Sequence, residues 1–205
     1  EGLHSAVAEA LKSAGISPLE VRALGVVGQL DGCLPVSSDG QALYNCLIWM
    51  DRRAEKEVAV VKGIDADNLR QITGITMDAG HMAAKIRWFM ANHVNSKMAV
   101  CFHQPVSYMV ARLTGEHVYD HALASTSMLY SIKKGDYDDS LLGAFGIERR
   151  QLPKIREAWE KAGKLSAPGA LLSGLPEGIT VAVGTGDDYS TPLGAGIIKQ
   201  GRMVW

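Results

Sequence analysis

The sequence has no hydrophobic run that approaches the about 20 apolar residues needed to span a bilayer. A signal peptide is also missing. Neither sign of charge is in excess, since 21 basic and 22 acidic side chains give a formal net charge of −1, and this disfavours a nucleic-acid-binding surface. With 47% hydrophobic residues the composition is that of an ordinary globular protein. We therefore expect a cytoplasmic protein without a membrane or nucleic-acid partner.

Cysteine is scarce, with only Cys33, Cys46 and Cys101 among 205 residues. An odd number without regular spacing argues against a disulfide framework and for reduced thiols. Cys33 and Cys46 lie in apolar, strand-like runs, where a buried structural cysteine is the favoured interpretation.

Familiar catalytic and metal-binding patterns are missing too: there is no Cys-x-x-Cys pair, no P-loop and no Ser-His-Asp order. His117 and His121 are four residues apart, which on a helix would bring two metal ligands together. The residues around them predict a turn into a strand, where such side chains lie about 13 Å apart. We therefore predict no metal site in this chain.

Helical and strand-like patterns alternate along the chain. Leu3, Val7 and Leu11 recur at four-residue spacing and predict an amphipathic helix. Residues 21–29 form a strand-like run, and residues 33–49 are typical of a hairpin with its turn at an Asp-Gly pair. This alternation predicts an α/β fold, and the hairpin indicates a mixed sheet.

The strongest local feature is an apolar run that leads through a glycine turn to Asp187 and Asp188, followed by a helix of small residues. Ligands of α/β proteins bind where strands end and helices begin. An aspartate there could accept the proton of a hydroxyl group, as in phosphoryl transfer. Aspartate is also a favoured helix N-cap, so both interpretations remain open.

A second feature is the polar segment between Gly28 and Gly32, which contains Gln29 and Asp31. Polar residues just past an apolar strand suit a site that hydrogen-bonds a polar ligand. A tight turn is the alternative, because Asp-Gly pairs favour turns.

A third feature is Trp49, followed by Asp51 and Arg53. The indole could stack on the apolar face of a sugar, while the charged side chains bind its hydroxyl groups. A core tryptophan beside a surface ion pair is equally compatible with the residues. At this level an enzyme that acts on a small polar substrate and a ligand-binding module both remain open.

Several segments, in this order, resemble motifs of the FGGY carbohydrate kinase family, and of its xylulokinase branch in particular. They are GVVGQLDG (25–32), LIWMDRR (47–53), Thr73-Gly74 with Ala84-Lys85 and Trp88, RLTGE (112–116) with Asp120 and Ala124-Ser125, and VGTGDDYSTPLGAG (183–196). No single motif is decisive, but their common order and spacing are highly specific.

The resemblance implies the actin-like, ribonuclease-H-like fold, with a mixed sheet and flanking helices. It implies ATP-dependent phosphorylation of a small sugar, a ketopentose such as xylulose, with ATP and Mg²⁺ as cofactors. By position in the motifs, Asp187 is the catalytic base, and Leu30, Asp31, Trp49 and Asp188 contact the substrate. Leu30-Asp31 and Asp188 stand where the family has Met-His and Asn, so a polyol such as erythritol is an alternative substrate. A non-catalytic sugar-binding module is the other alternative.

The resemblance also implies that residues 1–205 form part of the N-terminal, substrate-side domain. We expect the chain to lack the family's first phosphate-binding hairpin and its C-terminal ATP-binding lobe, so no cofactor-binding residue is assigned here. We therefore expect the chain alone to be inactive as a kinase. Its oligomeric state stays open, with a homodimer as one alternative.

Overall fold

The computed structural model of the protein describes residues 2–61 and 66–203. Its helices are α1 (Gly2–Ala14), α2 (Glu55–Val61), α3 (Ala66–Thr73), α4 (Met82–Asn92), α5 (Pro105–Thr114), α6 (His121–Ser125), α7 (Asp139–Phe145), α8 (Ala167–Ser173) and α9 (Asp187–Gly194). Its strands are β1 (Ala23–Leu24), β2 (Val27–Gly28), β3 (Leu34–Val36), β4 (Cys101–His103), β5 (Val118–Asp120), β6 (Tyr130–Ser131), β7 (Asp136–Tyr137), β8 (Lys154–Arg156), β9 (Lys161–Lys164), β10 (Thr180–Ala182) and β11 (Thr185–Gly186). Within these residues no helix combines the length and the apolar character that crossing a membrane requires.

The strands are short and pair in both directions. β10 lies between β1, to which it is parallel, and β9, to which it is antiparallel. Two further pairs, β2 with β11 and β5 with β8, are parallel. The pairs β3 with β4 and β6 with β7 are antiparallel. The predicted mixed α/β architecture is therefore confirmed.

The predicted hairpin over residues 33–49 forms only in part. The chain turns back after β3, but the returning segment makes isolated bridges at Ala42 and Leu47 and forms no continuous strand. The regular partner of β3 is β4, more than 60 residues later in the chain. A local turn signal cannot reveal that pairing, because it depends on contacts distant in sequence.

Helix α5 connects the three hydrophobic clusters of the core. Val106 belongs to the largest cluster, Val110 to the second and Leu113 to the third. The predicted helix α1 is confirmed, and its apolar stripe packs against the third cluster. The central position of α5 follows from its sequence, since residues three and four apart share one helix face.

The end of α5 lies unusually close to the start of α8. The backbone N–H and the hydroxyl of Ser166 both donate to the carbonyl oxygen of Leu113, each at 2.9 Å. A Cβ atom added at Gly169 would lie 2.2 Å from the same oxygen. Only glycine therefore allows this approach of the two helices.

We predict that Gly169→Ala destabilises the protein by about 1–3 kcal/mol, because the new methyl group forces the two backbones apart. Gly143→Ala is the matched control, since Gly143 is also inside a short helix but has no atom within 4 Å of an added Cβ. There the better helix propensity of alanine should stabilise by about 0.5–1 kcal/mol. Urea unfolding of both variants measures the difference, and equal stabilities would contradict the close contact.

Candidate functional site

The parallel pair β2–β11 defines the edge at which the candidate site lies. Val27 is in register with Thr185, and Gly28 with Gly186. Both strands therefore end at the same edge of the pair. In α/β folds this carboxyl edge is where ligands bind.

A cavity of about 340 Å³ opens at this edge. Its lining residues are Gln29, Leu30, Asp31, Trp49, Asp187 and Asp188. The structure thus brings together all five residues that the sequence assigned to a site, and it adds Gln29. Their roles in chemistry stay predictions, but their proximity is an observed property of the fold.

Asp31 is fixed by three partners from distant parts of the chain. Its backbone N–H donates to Gln104 Oε1 at 2.9 Å, and its carbonyl oxygen accepts from Lys85 Nζ at 2.6 Å. Its carboxylate Oδ2 lies 3.0 Å from His81 Nδ1. The backbone has a φ of 56°, a left-handed conformation that aspartate tolerates better than most residues. Asp31 is therefore held by tertiary contacts, and a simple tight turn does not account for it.

The second carboxylate oxygen of Asp31 lacks a hydrogen-bond partner among the described residues. This atom, Oδ1, is buried and has no hydrogen-bond partner in the described part of the chain. Leaving a buried polar atom unpaired is costly, and such atoms in native structures call for an explanation.

Sequence analysis missed His81 and Lys85 as residues of this site. Lys85 is completely buried on α4, whose neighbouring side chains Met82 and Ile86 are core residues. Burial lowers the pKa of Lys85, while the carboxylate of Asp31 opposes that change. Its ammonium group also donates to the carbonyl oxygen of Gly80. The available signal was a lysine within an apolar helical stripe, since lysine is almost never buried without partners.

Leu30 packs directly on the backbone of β11. Its side chain is only 6% exposed, and a Cβ atom added at Gly186 would lie 2.7 Å from Leu30 Cγ. Gly184 has a φ of 79°, and a Cβ there would lie 2.3 Å from the carbonyl oxygen of Val26. The two glycines of the motif thus allow the close approach of β2 and β11.

Asp187 is the first residue of α9, and the N-cap is Gly186. The structure therefore contradicts the interpretation of Asp187 as a helix cap. Its Oδ1 accepts the N–H of the adjacent Asp188 at 3.1 Å, and the side chain is half-buried at the cavity. Asp188 is exposed at the cavity edge. Both carboxylates can therefore reach a ligand.

Asp120 connects β11 to the neighbouring element. One of its oxygens caps α6 by accepting the N–H of Leu123 at 2.9 Å, and the other accepts the hydroxyl of Thr185 at 2.6 Å. The residue is buried, with 3% of its surface exposed. This motif residue thus holds the strand that leads into Asp187 and does not itself line the cavity.

Trp49 is 57% exposed and lies at the cavity edge, so its interpretation as a core residue is wrong. The surface ion pair predicted beside it is present, with Arg53 Nη2 2.8 Å from Asp51 Oδ2. The guanidinium group of Arg53 also lies 4.8 Å from the ring centroid of Trp88. These contacts leave the indole of Trp49 free to cover a ligand.

The chemistry of the cavity suits a neutral ligand with several hydroxyl groups. Three carboxylates and one amide face it, and no lysine, arginine or histidine is among the described lining residues. Carboxylates accept hydrogen bonds from hydroxyl groups, while Trp49 and Leu30 offer apolar surface to C–H groups.

Comparison with known proteins adds independent findings. Residues 1–194 match the N-terminal domain of the FGGY family of carbohydrate kinases. The chain is 37% identical over 163 residues to glycerol kinase of Thermococcus kodakarensis, which covers 77% of this chain and 33% of that protein. It is 27% identical over 208 residues to glycerol kinase of Mycoplasma capricolum, with 98% and 41% covered. The chain thus spans about a third to two fifths of the length of these curated relatives.

Solved structures agree with the fold. Xylulose kinase from Rhodospirillum rubrum superposes with a TM-score of 0.90 at 25% identity, covering 97% of this chain and 41% of that one. Plasmodium falciparum glycerol kinase, solved with ADP, gives a TM-score of 0.86 at 21% identity and the same coverage. The expected actin-like fold is therefore confirmed. Because the family match covers nearly the whole sequence, the chain belongs to the FGGY family of carbohydrate kinases and corresponds to its N-terminal domain.

Proposed function

We propose that the protein carrying this chain transfers the terminal phosphoryl group of ATP to a hydroxyl group of a small neutral sugar or polyol. The observation that carries this proposal is the cavity in which Asp187, Asp31 and Gln29 meet beside Trp49. Membership of a family of carbohydrate kinases supports the reaction class. Because the chain spans only part of the length of its relatives, we assign this activity to the intact protein.

In the proposed reaction Asp187 acts as the general base. It accepts the hydroxyl proton while that oxygen forms a bond to phosphorus and the bond from phosphorus to ADP breaks. Phosphoryl transfer depends mainly on position and electrostatics, so a carboxylate at a strand end is well suited to orient the attacking oxygen. Asp187 later releases the proton to solvent.

The other cavity residues position the substrate. Asp31 is held by Gln104, Lys85 and His81, so its side chain has a fixed position at the cavity wall from which it can bind a second hydroxyl group. Pre-organised acceptors lower the entropy cost of orienting a substrate. Trp49 covers the apolar face, as aromatic side chains do in many sugar sites.

ATP and Mg²⁺ are the proposed cofactors. Mg²⁺ takes oxygen ligands from carboxylates and phosphates. Three carboxylates line the described cavity, those of Asp31, Asp187 and Asp188, so oxygen donors of the kind that the ion takes are present. When bound, the ion would neutralise charge on the phosphates.

Two substrate classes fit the cavity. The sequence motifs favour a ketopentose such as xylulose, and xylulose kinases are among the structural relatives. The curated relatives named above are glycerol kinases, so a short polyol is the second candidate. Both are neutral and rich in hydroxyl groups, which is the property that the cavity selects.

We predict that Asp187→Asn in the intact protein lowers kcat by about 10²–10⁴-fold and leaves KM for the sugar nearly unchanged. Asparagine keeps the shape and one hydrogen bond but cannot accept the proton. Asp188→Asn is the matched control, with the same change one residue away, and it should alter substrate preference more than kcat. Steady-state kinetics on both variants tests this, and an Asp187→Asn enzyme that keeps more than about a tenth of wild-type kcat rules out the base.

A substrate series tests the charge of the cavity. We predict turnover of glycerol, erythritol or D-xylulose, and at least about 100-fold lower kcat/KM for D-gluconate than for D-glucitol. These two six-carbon compounds form a matched pair, differing by one carboxylate. Like charges brought together cost several kcal/mol, and each 1.4 kcal/mol is a factor of about 10. Preference for gluconate would contradict the proposed selection for neutral substrates but would not contradict the proposed kinase activity.

A further inference from the structure

Cys101, His103 and His117 form a cluster of metal-ligand side chains that the proposed reaction does not use. Their ligand atoms all lie within 4.8 Å of one another, and His103 Nε2 is 2.8 Å from His117 Nδ1. Cys101 and His103 are two residues apart on β4, so both side chains leave the same face of the strand. His117 comes from the turn before β5. None of the three lines the cavity of the candidate site.

The ring of His103 is oriented as a metal ligand would be. Ser107 Oγ lies 3.0 Å from His103 Nδ1 and 3.0 Å from the carbonyl oxygen of Gln104. When the hydroxyl donates to that carbonyl oxygen, the Nδ1–H of His103 can donate to Ser107 Oγ. This leaves the lone pair of Nε2 directed at His117. Histidine ligands of metals usually donate their other ring N–H in this way, which fixes tautomer and orientation.

The cluster is accessible from one side. Cys101 and His103 are buried, but His117 is exposed. A cavity of about 780 Å³ opens there, and its lining residues are Val100, Cys101, His117, Arg149, Arg150, Leu152 and Lys154. An ion could therefore enter past His117 and keep one coordination position open to the cavity.

The charges around this cavity are largely offset. Arg149 pairs with Asp136 and Asp139, and Arg150 pairs with Glu148. Lys154 is a further cation on the wall, and the Cys101 thiolate would supply the negative charge next to a bound ion. An anion or hydroxide in the open position would be favoured by Lys154.

We propose that Cys101 Sγ, His103 Nε2 and His117 Nδ1 form a three-ligand site for Zn²⁺, with the fourth position open to the cavity. One thiolate and two imidazoles select zinc over Mg²⁺ or Ca²⁺, which prefer oxygen ligands. Three protein ligands with one open position are typical of zinc sites that bind an exchangeable ligand.

Binding requires small, balanced changes. The thiol proton of Cys101 leaves to solvent, and the ring proton of His117, which lies on Nδ1 when His103 Nε2 accepts, moves to Nε2 by exchange with solvent. With Zn–N bonds of about 2.0–2.1 Å in a tetrahedral site, the two ligand nitrogens should be about 3.3 Å apart. They are 2.8 Å apart as a hydrogen-bonded pair, so the exposed His117 ring must move outward by about half an ångström.

The site can be tested with metal alone on the intact, chelator-treated protein. We expect one equivalent of Zn²⁺ by calorimetry, not displaced by excess Mg²⁺, and a thiolate-to-cobalt charge-transfer band when Co²⁺ is the probe. Cys101→Ser should abolish that band. His117→Ala should weaken Zn²⁺ binding by at least about 100-fold. That is the upper end of the loss caused by removing a residue that only hydrogen-bonds to a metal ligand.

Controls separate this site from adventitious binding. Cys46→Ser and His4→Ala change the same residue types elsewhere and should bind as wild type, with circular dichroism confirming that each variant is folded. The exposed His117 tolerates substitution, so the test remains decisive if Cys101→Ser does not fold. A folded wild type without the cobalt band, or a folded His117→Ala variant with unchanged affinity, would overturn the proposal.

Discussion

The parallel pairing of β2 with β11 is the constraint on which the candidate site depends. A shift of this register by one residue would turn every side chain to the opposite face. Three contacts oppose such a shift: Leu30 packs on Gly186, Thr185 donates to Asp120, and Gly184 lies against Val26. As a result, Asp31 and Asp187 enter one cavity, although more than 150 residues separate them in the chain.

The buried ammonium group of Lys85 is the second determinant of the site. A charged group without solvent is costly unless it is paired and hydrogen-bonded. Here the carbonyl oxygens of Asp31 and Gly80 accept its protons, and the carboxylate of Asp31 is close enough to favour its charge. Helix α4 thereby fixes the left-handed backbone of Asp31. The same contacts of Lys85 therefore stabilise the core and determine the geometry of the cavity.

Sequence alone predicted the parts of this architecture that depend on local patterns. The stripe of Leu3, Val7 and Leu11 was sufficient for α1, and the glycine-aspartate motif was sufficient to place Asp187 where a strand is followed by a helix. The sequence alone did not predict the pairing of β3 with β4, because the turn at the Asp-Gly pair indicates only that the chain reverses. The contact of His81 with Asp31 was missed for the same reason, since no local pattern reports which distant side chains meet.

The cluster of Cys101, His103 and His117 shows the same limit of local sequence patterns. Sequence reasoning considered His117 only together with His121, whose ring contacts the hydroxyl of Tyr130 at 2.8 Å. It did not connect His117 to His103, fourteen residues earlier, because only the position of β4 beside the turn brings them together. The sequence also did not decide whether Trp49 is exposed, because its exposure depends on which distant segments cover it.

The long sequence separation within the parallel pairs has a consequence for synthesis on the ribosome. Ala23 pairs with Thr180, and Val27 with Thr185. At about 5–20 residues per second, the early strands wait roughly 8–30 s before their partners exist. During that interval Ala23–Leu24 and Val27–Gly28 expose unpaired backbone groups, the kind of edge that promotes association between nascent chains. Co-translational protection of this segment by a chaperone would therefore favour the yield of folded protein.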